Sequence, residues 1–467
     1  MAFQHGVTGR ENPTSVIAAS TSEMVAVYIG TAPINMTKER KVNDPVLCYS
    51  YSEAVEAMGY LKDFENYTLC EAIDAHFSKF GSAPIVLINV LDPETHKAET
   101  AEAETITKEN GKFTIKKTGV IPETVTIEGQ TNLNFQFDDD GYLVIIGTIP
   151  GETVSVTYSF LKPSMVTAED IIGGIDTNTG NEKGLECIEN IFPKYRVIPN
   201  LVLAPKFSTD STVAAVLETK ASKINGHFQG FAICDIDTKT TRKYTDVPGI
   251  KENNNLNSTY LSAFWPMVAL GTLKYHMSTQ IACIIQALAA ENDGVPFKSP
   301  SNKSLKADSA VLVDGTPVLL GVNKANYLNS NGIGTALNFI GGWKSWGNYA
   351  SCFPAVTDPK DAFIASRLMF NFLNNTLVTT FWQKVDEPTN KVLINTIVDS
   401  CNIWLNGLTN QGQILGGRVE FREEDNPTTS LVAGKISIRV FYTPPLPAQQ
   451  IEFLKEIDVK YFDTLFQ

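Results

Sequence analysis

The side chains that could do chemistry in this chain are scattered. Its histidines are His5, His76, His96, His227 and His276. None pairs with another at HxxxH-type spacing, the arrangement that sets two imidazoles on one helix face for a metal. They read as core or surface histidines, and no metal site is expected. The cysteines, at 48, 70, 187, 234, 283, 352 and 401, include no CxxC, and most sit in apolar runs. They read as buried thiols in a reducing compartment and not as a disulfide framework. There is no GxSxG, GxGxxG or P-loop.

Four groups need weighing singly. Asp235 and Asp237, in CDID (Cys234–Asp237), would end a strand of an α/β layer, where a carboxylate can act as acid or base. The plainer reading is a strand ending in solvated acids. Asp138–Asp140 lack the ligand spacing of a calcium loop, and DDDG suits a hairpin turn. Arg422–Asn426 (REEDN) resembles a carboxylate cluster but suits a turn or an interface patch better. Trp343, Trp346 and Tyr349 could stack on a sugar or base, yet beside glycines they fit core or subunit packing. No catalytic, cofactor-binding or metal-binding residue is expected, and no cofactor.

The elements around these residues form a layered pattern. At 467 residues, two to four domains are expected. The net charge of -13 argues against a nucleic-acid backbone as main partner. It suits a protein that stays soluble before it assembles. The start lacks a signal peptide's apolar stretch, and no apolar run is long enough to span a bilayer. The product is expected to be made in a cytoplasm.

Residues 1–20 are polar and read as an extended arm. MVAVYIGTA reads as a buried strand. SYSEAVEAMG opens a helix with Ser50 and Glu53 at capping-box spacing. A second helix stops at Gly81, and APIVLINVL is a further strand. From about residue 96 to 162 the chain alternates with period two, the signature of an inserted all-β domain, a short barrel or sandwich. Strand–helix units return over 163–350, with Thr209 or Asp210 near one helix cap and YLSAFWPMVAL as one candidate strand. ALNFIGGWKSWGNYA is expected to be a strand bent at Gly341–Gly342. A separate α+β unit follows over 351–450, with helices near 361–383 and 388–408 and strands near 415–423 and 433–442. After a Pro-rich break, IEFLKEIDVKYF is one more alternating run within a strand arm over 451–467. It is short for a strand that must find its own partner. The fold class is thus α/β and α+β multidomain: a layered α/β core (21–95 and 163–350), an inserted small all-β domain, a C-terminal α+β domain and extended terminal arms.

Taken together, SPSNKSL, GGWKSWGNYA, DPKDAFIASRL, REEDNPTTSLVAGKISIRVFYTPPLP and the closing run resemble the tail sheath proteins of contractile phage tails and phage-tail-like bacteriocins. The resemblance covers most of the chain. It implies stacked hexameric rings around an inner tail tube, contracting to drive the tube through a bacterial envelope. It also implies terminal arms, here about Met1–Ser20 and Ile451–Gln467, that add strands to sheets of adjacent subunits. Gly342–Asn348 and the EEDNP…GK…YTPP block would belong to the core near the tube, and Ile106–Tyr158 would face outward. The implied partners are other copies of the chain, the inner tail tube protein, and baseplate and tail terminator proteins. Direct nucleic-acid binding and stable membrane insertion are not implied, nor is enzyme activity. The alternatives are a non-contractile structural or binding tail protein and an α/β enzyme centred on Asp235.

Overall fold

The computed structural model describes residues 23–98, 102–130, 133–147, 149–177 and 179–466, so the expected N-terminal arm lies outside the described residues. Strand β1 (Val25–Gly30) is wholly buried. Gly30 is required where the strand ends, because a Cβ there would sit 2.1 Å from Thr68 Oγ1. β2 (Val46–Cys48) and helix α1 (Tyr51–Met58) follow. Ser50 accepts the Glu53 N–H, so the Ser50 half of the expected capping box forms, while Glu53 Oε2 accepts the Tyr49 N–H at 2.8 Å and not that of Ser50. Helix α2 (Thr68–Ile73) continues through wider turns to Phe80 and stops at Gly81, which is left-handed with φ 64. β3 (Ile85–Asn89) is again wholly buried.

The alternating region forms two three-stranded sheets. One has the order β4 (Glu102–Thr107), β9 (Thr153–Tyr158), β6 (Thr126–Ile127); the other has β5 (Phe113–Ile115), β8 (Leu143–Ile146), β7 (Asn134–Phe137). They share an apolar core of their own, including Ile106, Phe113, Ile145 and Val156. The chain enters and leaves this unit side by side: Lys97 bridges Leu161, and the Ala98 N–H reaches Phe160 O at 3.0 Å. DDDG is a turn, with Asp138 Oδ1 accepting the Tyr142 N–H at 2.8 Å.

After helix α3 (Ala168–Ile172), the ribbon β10 (Gly174–Ile175) and β11 (Glu182–Lys183), and α4 (Ile191–Tyr195), the strand–helix repeat resumes. It runs β12 (Pro199–Leu203), α5 (Ser211–Ser222), β13 (Phe231–Asp235), α6 (Val247–Asn253), β14 (Leu261–Phe264). Asp210 caps α5 through the Thr212 N–H at 2.8 Å. The candidate strand YLSAFWPMVAL is two strands. Pro266 has no N–H to give a ladder, and the chain leaves the main sheet there. β15 (Met267–Leu270) joins β16 (Leu273–Tyr275) and β17 (Ser309–Val311) in a separate antiparallel sheet. Helix α7 (Met277–Ala290), α8 (Val322–Ser330), β18 (Ile333–Asn338) and β19 (Trp343–Trp346) complete the layer.

The main sheet has the order β19-β18-β14-β13-β12-β1-β3-β2. Its inner strands are parallel, and antiparallel β2 and β19 close the two ends. Helices cover a sheet of this kind on both faces, which is why these strands read as unbroken apolar runs. The chain goes to one side of β1 for β3 and later to the other for β12. GGWKSWG does not bend within one strand: β18 and β19 form a hairpin that turns at Phe339–Gly342.

The C-terminal unit comprises α9 (Pro359–Ala362), α10 (Ile364–Phe381), α11 (Lys391–Asn410), β20 (Gly416–Glu420), α12 (Thr428–Val432) and β21 (Arg439–Thr443). Met369, Phe372, Leu373, Cys401, Leu405 and Val419 lie in its own apolar core. The opposite side of α10, through Ile364 and Leu368, belongs to the main core.

Candidate assembly interface

α10 ties the two units together with buried polar bonds. Asn371 Nδ2 donates to Gly230 O at 2.7 Å, and Asn375 both donates to Gln229 O (2.7 Å) and accepts its N–H (2.8 Å). Buried Arg367 donates to Asp361 at 2.9 Å and Asn371 at 3.0 Å. Next to this joint, β20 and β21 form a two-stranded antiparallel sheet. Asn402 of α11 covers the outer side of β20 at Val419, accepting its N–H at 2.8 Å. Among the described residues no strand pairs with β21 on its other side. The REEDN segment is a turn: Asn426 accepts the Ser437 N–H at 2.7 Å and donates to Ser437 O at 2.8 Å. Asp425 accepts from Arg439 at 2.5 Å.

Beyond β21 the chain runs out along the Pro-rich segment and then exposes nearly everything it carries. Ile451 is 72 % exposed, Phe453 80 %, Leu454 85 % and Ile457 83 %. None of these side chains lies in any of the protein's apolar clusters. The expected closing strand does not form. Residues 451–458 have no regular secondary structure and pair with no described strand, and Val459–Phe466 forms 3-10 turns. Without a partner ladder the backbone bonds locally, with Asp458 accepting the Lys460 N–H at 3.1 Å.

The Trp/Gly segment is built into its own chain. Trp343 Nε1 donates to Asp308 O at 2.8 Å, and Trp346 Nε1 to Asn326 Oδ1 at 3.1 Å. Tyr349 stacks on Phe353 (centroids 3.8 Å, planes 4° apart) and on Phe363 (5.0 Å, 16°). SPSNKSL lies along the outer edge of β19, where the Asn302 N–H reaches Ser345 O (2.6 Å) and the Ser345 N–H reaches Lys303 O (2.9 Å). The hairpin tip leaves Phe339 and Ile340 in solvent.

The acid-ended strand is a different kind of place. Asp235 is not solvated, as the plainer reading expects, but buried at the end of β13. Asp235 Oδ1 accepts the Ser278 N–H at 2.9 Å, and its other oxygen accepts the Ser278 hydroxyl. Glu71, fully buried on α2, accepts the His276 N–H and lies against His276 Nδ1, both at 2.7 Å. Two carboxylates therefore serve the amide end of α7, where the helix dipole favours negative charge. Burial pulls the His276 pKa down, but the charge and hydrogen bond of Glu71, with Asp235 behind it, push it up to about 9. Burial raises the Asp235 carboxyl, against the Ser278 bonds and His276. A cavity of about 380 Å³ adjoins these groups and is also lined by Lys206 and Asp237. Asp237 itself caps a turn, accepting from the Lys239 N–H at 2.9 Å and the Thr240 hydroxyl at 2.7 Å. These carboxylates are committed to holding backbone and helix, which is a structural task.

The other described histidines also have partners. His76 is fully buried between Tyr28 OH (2.7 Å) and Ser82 Oγ (2.9 Å), and burial lowers its pKa to about 3. His96 accepts the Asp92 N–H at 3.0 Å, and His227 packs edge-on against Trp382. All seven cysteines are buried and free. Among the described residues no cluster of three or more His, Cys, Asp or Glu could hold a metal, and no helix is long and apolar enough to cross a membrane. Sequence reasoning missed Glu71, Asn402 and Gln449. Each acts on a distant or outwardly ordinary partner, and no local pattern marks it.

Comparison with known proteins agrees with this layout. No family model matches the chain. The tail sheath protein of Burkholderia phage BcepMu is 27% identical over 99% of this chain and 98% of its own length. Two solved structures share the fold. The helical sheath of the anti-feeding prophage in its contracted state aligns at TM-score 0.60 and 15% identity, covering 98% of this chain and 100% of that one. The sheath of the extracellular contractile injection system PVC, also contracted, aligns at TM-score 0.59 and 14% identity, covering 99% of each. The chain is thus similar over nearly its whole length to tail sheath proteins of contractile particles, and that likeness supports a structural sheath subunit. Its place is a virion tail or a phage-tail-like particle.

Proposed function

We propose that this subunit polymerises as stacked six-fold rings around an inner tail tube, and that the rings twist and shorten to drive the tube through a bacterial envelope. The observation that carries the proposal is the arm. Ile451, Phe453, Leu454 and Ile457 are large apolar residues more than two-thirds exposed, on a segment that pairs with no strand among the described residues. Apolar area left in water is unfavourable, by about 25 cal/mol per Å², and another copy can cover it. The open side of β21 offers the backbone ladder such a segment needs. Each added hydrogen bond contributes little net, but leaving a buried partner unpaired is costly, so a docked arm holds its register. Links of this kind keep copies joined while softer polar surfaces slide. Contraction then runs from a metastable extended array to one with more contacts, without a nucleotide.

On this reading the segments divide as an N-terminal arm (1–20), α/β core (21–95 and 163–350), outward-facing β insertion (96–162), C-terminal domain (351–450) and C-terminal arm (451–467). The partners are other copies, the inner tube protein, and baseplate and tail terminator proteins, without direct nucleic-acid binding or stable membrane insertion. Assembly takes place in the host cytoplasm, and the subunit carries no catalytic, cofactor or metal site. Deleting Ile451–Gln467 tests the proposal. The truncated subunit is expected to stay folded and monomeric by electron microscopy and light scattering. Normal striated cylinders from it would reject the arm as the link.

A further inference from the structure

We infer that Gln449, held by Tyr349 and Asn348, is a latch that fixes the direction in which the C-terminal arm leaves the subunit. The inference rests on the arm reading above and adds the residues that aim it. Between Thr443 and the arm lies Pro444-Pro445-Leu446-Pro447-Ala448. Such a segment favours the polyproline conformation, a stiff spacer rising about 3.1 Å per residue. Its near end is fixed where Thr443 O accepts the Leu415 N–H at 2.8 Å, and Pro444 is buried. Its far end is fixed by Gln449, which accepts the Tyr349 hydroxyl at 2.8 Å and donates to Asn348 Oδ1 at 3.4 Å. Among the described residues from 444 onward, Gln449 makes the only side-chain hydrogen bonds to the body of the protein.

The receiving side is rigid. Tyr349 is stacked on Phe353 and Phe363, so its hydroxyl is held in one place. Asn348 is buried at the end of the β18–β19 hairpin, and its backbone O accepts the Ile364 N–H at 3.0 Å. A stiff spacer pinned at both ends points the next residues one way. An arm pinned only at Thr443 would sample many directions, and its effective concentration at a neighbour's sheet would fall. Gln449 and Tyr349 are positioning residues in this scheme, because the contacts to the neighbour belong to the arm itself.

The test uses the full chain with a dye on Lys455→Cys. Lys455 is exposed, and every native thiol is buried, so the label is selective. Tyr349→Phe removes the hydroxyl and keeps the ring stack, while Gln449→Ala acts from an exposed position. In each, dye anisotropy of the monomer should fall and thermal unfolding should be unchanged. The protein concentration needed to form polymers should rise about three- to tenfold, the worth of one modest hydrogen bond. The double variant should match Gln449→Ala, because that change already removes the Tyr349 bond along with the bond to Asn348. Should Tyr349→Phe disturb the fold, Gln449→Ala decides. Anisotropy and polymer threshold equal to the parent in Gln449→Ala would overturn the latch. The arm deletion separates this failure from failure of the arm reading. If the deletion abolishes polymers while Gln449→Ala behaves as the parent, only the latch is wrong. If the deletion polymerises normally, the arm reading falls and anisotropy alone judges the latch.

Discussion

Helix α7 and the 451–466 arm both carry apolar residues, and the protein treats them in opposite ways. Nearly all of α7 is buried, and Glu71 and Asp235 reach across from other elements to satisfy its first turn. Among the described residues the arm has no such neighbours; its Phe453 and Leu454 face water. The first segment is completed inside one chain. The second, on the proposed reading, is completed by another molecule. Stability should therefore depend on the first and assembly on the second, with little exchange between them.

The largest effect expected is on the α7 side. Glu71→Ala leaves the mostly buried His276 imidazolium without its counter-charge and should cost about 3 kcal/mol of unfolding free energy, measured by urea denaturation. A loss no larger than that of a surface substitution would show that α7 is not held by this pair.

A comparable effect should appear with pH. The His276 pKa is raised in the folded protein from 6.5 to about 9, with Glu71, Asp235 and Lys206 facing the ring. Its stabilisation is fully present below pH 6.5 and is lost as pH rises through 9, a loss of about 3 kcal/mol. His76 works the other way. Its pKa falls from 6.5 to about 3, so the unfolded chain takes the proton first and stability drops as pH falls below 6.5. These two groups alone give a maximum near pH 6.5 in a series of thermal unfolding curves. Glu71→Gln should flatten the alkaline side and leave the acid side in place. An unchanged alkaline side in that variant would contradict the assignment.

The smallest effect sharpens the contrast most. Removing 451–467 should alter unfolding free energy by less than about 0.5 kcal/mol, as for surface changes away from special features. A destabilisation of several kcal/mol would mean that the arm folds onto its own chain in solution.

Local signals in the sequence were legible where the physics is local. Ser50 and Glu53, Gly81, Asp210 and the turn at Asp138 act within a few residues of themselves, and each appears where its type suggests. The layered core and the β insertion also follow from periodicity, because strand and helix patterns repeat over many residues. What periodicity does not carry is partner choice. Trp265–Pro266 divides one apolar run between two sheets, and the second half pairs with Ser309–Val311. Glu71 meets His276 across 205 positions, so neither residue looked special alone. Gln449 is one of two adjacent glutamines, and only the fold shows which one meets Tyr349. The alternating run at 451–462 suggests a strand, but a strand needs a ladder, and among the described residues this segment pairs with none.

The central claim is that this segment finds its ladder on another copy. A cryo-EM reconstruction of the assembled particle tests it most directly. The account predicts residues 451–458 as a strand, hydrogen-bonded to the β20–β21 sheet of a neighbouring subunit. An arm folded back on its own chain, with no sheet crossing between subunits, would contradict it.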